Sequence, residues 1–82
     1  MARLEFSDSD RLKIGIKQVS RALSESPVKT VYIAKDAEPT LVEQILKLAE
    51  AHSVAVCYVE SKSELGKACH IDVGAATAVV LK

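Results

Sequence analysis

The apolar positions along the chain change period several times, and each change marks an element. Over residues 15–25, Ile16, Val19, Ala22 and Leu23 recur on one face while Lys17, Ser20, Arg21 and Ser24 occupy the other. That is the 3.6-residue period of an amphipathic helix. Ser26-Pro27 ends it, because the residue before a proline is pushed out of helical geometry. Residues 28–34 are rich in β-branched side chains and apolar on both faces towards their end, which predicts a central strand covered on two sides. Asp36-Ala37-Glu38-Pro39 is turn chemistry, with Pro39 where a first helical turn tolerates it. The helix that follows runs to about residue 52 and is expected to bury Leu41, Ile45, Leu48 and Ala49, with Val42 and Leu46 beside them. Residues 54–59 form a second continuous apolar run, again read as a two-sided strand. Ser61-Lys62-Ser63-Glu64 matches a capping box and opens a short helix through Leu65, Ala68 and Cys69. Residues 70–75 read as a loop and residues 76–81 as a last strand. Residues 1–10 read as a frayed start or a short helical turn, and the apolar positions Leu12, Ile14 and Ile16 are too brief to assign.

Alternating strands and helices predict an α/β fold: a three-layer α/β/α sandwich with a small mixed sheet of about four strands. At 82 residues the chain is expected to form one domain, residues 1–82, without repeat or linker. The opening Met1-Ala2-Arg3-Leu4-Glu5 lacks the apolar stretch of a signal peptide, and no apolar run approaches the length of a membrane span. A soluble, cytoplasmic protein is expected, with Cys57 and Cys69 as buried, reduced thiols.

Charge changes the picture once it is counted by segment. Eleven bases balance eleven acids, which on its face argues against nucleic acid. Residues 11–35, however, carry six bases (Arg11, Lys13, Lys17, Arg21, Lys29, Lys35) against Glu25 alone. Residues 36–60 carry Lys47 against five acids, Asp36, Glu38, Glu43, Glu50 and Glu60. Three of the bases, Lys13, Lys17 and Arg21, gather with Gln18 around the predicted helix start at Gly15, where free N–H groups and the dipole already favour an anion.

Enzymatic chemistry finds no footing. His52 and His70 have no nucleophile in a useful context, and the cysteines and histidines lack metal-ligand spacing, so no catalytic residue, metal or cofactor is expected. Gly15, Gly66 and Gly74 are isolated and build no phosphate loop. Phe6, Tyr32 and Tyr58 are too few for an aromatic stacking platform, so any RNA must be recognised through shape and helix-tip contacts.

Three motifs in order then carry a resemblance: Gly15-Ile16-Lys17-Gln18-Val19-Ser20-Arg21-Ala22, Tyr32-Ile33-Ala34-Lys35-Asp36-Ala37-Glu38-Pro39 and Ser61-Lys62-Ser63-Glu64-Leu65-Gly66-Lys67-Ala68-Cys69. Over about residues 11–81 the chain resembles the kink-turn RNA-binding ribosomal proteins, including archaeal, eukaryotic ribosomal and small-nucleolar members. Its short length and Lys-Gln pair are most similar to the bacterial branch. The resemblance implies the α/β/α fold and binding of a kink-turn, a sharply bent RNA with tandem sheared G·A pairs beside a bulge. It implies that the helix opening at Gly15 enters the major groove, with Lys17 and Gln18 on the guanines of the G·A pairs. Lys13 and Arg21 match positions that hold phosphates or a nearby base edge. Glu38 and Val42 match the pocket for an extruded nucleotide, with Lys62 close by, and Ile71, Asp72, Val73 and Gly74 match a variable loop covering the bulge.

The chain departs from the family pattern at three places. Many members carry Asn-Glu where Lys17-Gln18 stands, so an acceptor is lost and a cation gained, and altered base selectivity is expected. The loop reads Ile71-Asp72-Val73-Gly74 where others commonly carry Ser-Arg-Pro, losing a phosphate-binding arginine. His70 stands where glycine is frequent. The implied partner is structured RNA containing a kink-turn, with the ribosome a candidate, and a monomer is expected. The alternative is a protein–protein interaction module that uses the same scaffold through its acidic flank or apolar loop.

Overall fold

A computed structural model describes residues 11–82; the expectation for residues 1–10 lies outside the described residues. Along the chain come β1 (Leu12–Ile14), α1 (Ile16–Glu25), β2 (Val28–Ala34), α2 (Pro39–Ala51), β3 (Ala55–Val59), α3 (Lys62–Ala68) and β4 (Thr77–Leu81). The strands lie in the order β1-β4-β2-β3. β2 and β3 run parallel, joined by the crossover helix α2, while β4 is antiparallel to both β1 and β2. The sheet is therefore mixed and four-stranded, as expected.

Side chains alternate across the sheet and divide the core in two. Val31 and Ile33 of β2 and Val79 of β4 join Val19 and Leu23 of α1 and Ile45 and Ala49 of α2. Ala34 of β2, Val59 of β3 and Ala78 of β4 face the other way, onto Leu65 and Cys69 at α3. Two helices cover one face and α3 covers part of the other, which is the three-layer arrangement.

Two readings of the sequence need correction. The unassigned Leu12 and Ile14 belong to a strand: β1 pairs Leu12 with Val80 and Ile14 with Ala78. Three residues hold too little local signal to announce a strand, and only the pairing to β4 stabilises one there. The apolar run at residues 54–59 is not a strand covered on two sides. β3 is the outer strand of the sheet, where it leaves Ala55, Cys57 and Tyr58 exposed, the last to 50%. Hydropathy reads composition, whereas coverage depends on strand order, and an edge position removes neighbours on one side. For the same reason Cys57 is exposed, contrary to expectation, while Cys69 is buried as expected.

Candidate nucleic-acid interface

The parallel pair β2/β3 and the antiparallel β4 bring one end of the sheet into focus. β1 ends, β2 ends, β3 ends and β4 begins there, since Ile14 pairs with Ala78, Ile33 with Thr77 and Ala34 with Val59. The first residues of α1, α2 and α3 and the loop at residues 70–76 follow directly at that end. The sequence-predicted positions cluster there in two groups.

The first group surrounds the start of α1. Gly15 precedes the helix with φ +92°, a backbone that side chains with a Cβ rarely adopt, which is what requires glycine. Its N–H donates to the Thr77 carbonyl at 3.1 Å. Thr77 is fully buried, and its hydroxyl donates to the Tyr32 carbonyl at 2.8 Å, so the helix start is pinned to the sheet. No side chain caps α1 and no acid lies in its first turn. Lys17, Gln18 and Arg21 are exposed, and among the described residues neither Lys13 nor Lys17 is paired with a carboxylate. Lys13 reaches this group because its neighbours Leu12 and Ile14 face the α3 side and strand alternation turns it to the other face. Lys13, Gln18, Arg21, Ala22 and Ser26 line an open cleft of about 280 Å³. Lys17, Gln18 and Arg21 line a second of about 260 Å³.

The second group lies along the turn before α2, the start of α3 and the loop before β4. Here the scaffold is a chain of backbone contacts. The Asp36 carboxylate accepts the Lys62 N–H at 2.7 Å and Ser61 Oγ accepts the Glu64 N–H at 3.1 Å. Together they satisfy two of the free amides that open α3. Asp36 stands in a segment that reads as turn chemistry, yet its carboxylate reaches a helix 26 positions away along the chain. Ala75 N–H then donates to the Lys62 carbonyl at 3.0 Å. A Cβ on Gly66 would overlap the Val73 carbonyl, and one on Gly74 would stand 3.2 Å from Lys62 Cβ. Glycine at both positions lets α3 and the loop close on each other. Val42 and Ile71 are half-buried against the α3-side core, whereas Glu38, Lys62, Asp72 and Gly74 are exposed and Val73 is 70% exposed. His70 sits at φ +61°, a left-handed backbone that glycine adopts more readily than histidine.

The two groups meet through the start of β4: Ala76 accepts the Ala34 N–H at 2.9 Å, one residue before Thr77 holds Gly15. Sequence reasoning missed three contributors. Ser26 lines the cleft, Thr77 pins both Gly15 and Tyr32, and Glu25 pairs with Arg21 at 3.3 Å. Only the last had a readable signal, the four-residue spacing of opposite charges on one helix face.

Burial pushes the pKa of two groups near the site above their ordinary values and so holds them protonated: the Tyr32 phenol, through desolvation and then the neighbouring Cys57, and the Cys69 thiol, through desolvation. Among the described residues no group of three or more His, Cys, Asp or Glu could hold a metal, and no helix is long and apolar enough to cross a membrane.

The α/β/α scaffold thus gathers Lys13, Lys17 and Arg21 at an uncapped helix start, beside a braced loop, and this sheet end is the candidate surface for an anionic macromolecule. The chain belongs to the ribosomal protein L7Ae/L30e/S12e/Gadd45 family, whose model matches residues 3–82. It is 44% identical over 82 residues, the whole of both chains, to an RNA-binding protein of Halalkalibacterium halodurans. It is 36% identical over 76 residues to large ribosomal subunit protein eL8 of Nitrosopumilus maritimus, covering 92% of this chain and 59% of that one. A 15.5kD RNA binding protein of Giardia lamblia superposes with a TM-score of 0.82 at 27% identity, covering 89% of this chain and 62% of its own.

Proposed function

We propose that this chain binds RNA as a single non-enzymatic domain and stabilises kink-turns by preferring the bent conformer. The observation that carries the reading is the exposed set Lys17, Gln18 and Arg21, with Lys13, around the glycine-started, uncapped α1. An α-helix tip of this kind fits a groove that the kink widens, where ordinary A-form RNA would exclude it. Gln18 offers a donor and an acceptor to a base edge, and Lys17 offers donors to purine N7 and O6 atoms. Lys13 and Arg21 then meet phosphate. Glu38, Val42 and Lys62, with Ile71, Asp72, Val73 and Gly74, receive the extruded nucleotide. Exposed Val73 supplies apolar surface for an unstacked base, in the place of an arginine contact to phosphate. The protein acts as a monomer in the cytoplasm, with ribosomal RNA or another structured RNA as partner.

A gel shift with a standard kink-turn RNA, against the same RNA lacking its G·A pairs, tests this reading. Preference for the kinked RNA is expected. Equal or absent binding sinks it and favours the interaction-module reading, for which the exposed Val73 and Tyr58 supply apolar surface.

A further inference from the structure

Glu25 is the only acid among positions 11–35, against six bases, and it is the last residue of α1. Helix stability does not account for it. Its carboxylate sits at the negative end of the helix dipole, where a cation is favoured. Its pair with Arg21 runs base before acid at four-residue spacing, the weaker of the two orders. What the carboxylate does touch is Arg21, with Glu25 Oε2 3.3 Å from Arg21 Nε. Arg21 lines both clefts beside the start of α1, and the larger one reaches back to Ser26, the residue next to Glu25. The acid therefore stands at the rim of a site whose other charges are Lys13, Lys17 and Arg21.

We propose that Glu25 limits kink-turn affinity by competing with RNA phosphate for Arg21. This inference rests on the kink-turn reading above. In the free protein the carboxylate holds the guanidinium. A phosphate seated between Lys13 and Arg21 gains a second cation that Glu25 lacks, and so displaces the acid. The pair is weak enough to be displaced, since its side chains are 83% and 66% exposed. RNA that seats no phosphate in the cleft leaves the Arg21–Glu25 pair closed, so losing the acid helps it less than it helps the kink-turn.

The test is a double-mutant cycle on binding at one fixed low salt concentration. Wild type, Glu25→Gln, Arg21→Ala and the double variant are each titrated with kink-turn RNA and with the same RNA lacking its G·A pairs. Glu25→Gln is expected to tighten kink-turn binding about threefold and the control RNA by less than half as much. In the Arg21→Ala background the excess on the kink-turn should vanish. An equal gain on both RNAs, or an excess that survives without Arg21, overturns the proposal while leaving the kink-turn reading intact. A wild type that does not distinguish the two RNAs overturns that reading, and this inference falls with it.

Discussion

At the start of α1 the charged side chains come from one short stretch of sequence, residues 13–21: Lys17 and Arg21 project from a helix already packed by Val19, Ala22 and Leu23, and Lys13 stands beside them on β1. The loop side of the same sheet end draws on residues 36–75, and hydrogen bonds to backbone groups, with close approaches at two glycines, hold it together. One region can change its side chains with little cost to the fold, because they are solvated and touch little. The other cannot, because Asp36, Lys62, Gly66 and Val73 support one another across long sequence separations. Binding chemistry and loop shape are thus set by different kinds of residue, even though both lie at one end of one sheet.

The largest expected effect breaks the comparison on the binding side. Replacing Lys17 and Gln18 together with Ala should weaken kink-turn binding about a hundredfold, because each base-edge contact is worth about 1–3 kcal/mol. Thermal unfolding should barely move, since exposed substitutions of this kind shift stability by about 0.5 kcal/mol or less. A large drop in unfolding temperature would show that the helix start is structural as well. Next comes Gly66→Ala, which forces a Cβ against the Val73 carbonyl and should cost about 1–3 kcal/mol as the loop shifts. Urea unfolding reads that loss, and a neutral result would mean that the loop side is as tolerant as the helix tip.

A smaller effect sharpens the same contrast. Asp36→Ala removes the acceptor for Lys62 N–H and should cost about 1 kcal/mol, the usual value of a helix-capping contact. Its effect on RNA affinity should stay well below that of the Lys17 and Gln18 pair. The smallest is a pH dependence confined to the α3 side. Burial raises the Cys69 thiol above its ordinary value of 9.0, so the folded chain keeps this proton where the unfolded chain loses it. Stability is then fully present below the unfolded value and falls as pH rises through the folded one. Urea midpoints should decline above about pH 9, and Cys69→Ala should flatten that decline without altering the helix-tip contacts.

Much of the fold was legible because its signals are local. The α1 face, the bounds of β2, proline at the start of α2 and the Ser61–Glu64 cap all follow from side chains within one or two turns of each other. The residues at the α1 tip were legible for the same reason. β1 and the exposure of β3 were not, because each depends on which strand lies alongside. The Asp36 contact was not legible either, because its partner stands 26 residues away.

By itself the sequence determined the order of elements from α1 to β4, the basic segment around Gly15 and the neutral total that conceals it. Hydrophobic period and helix capping are short-range, and charge is simply counted. Only the tertiary structure decided that two distant groups of residues share one end of the sheet, that Thr77 pins the helix start, and that the β3 run lies at an edge. Those facts arise from strand pairing and crossover connections, which join residues whose separation along the chain leaves no periodic trace.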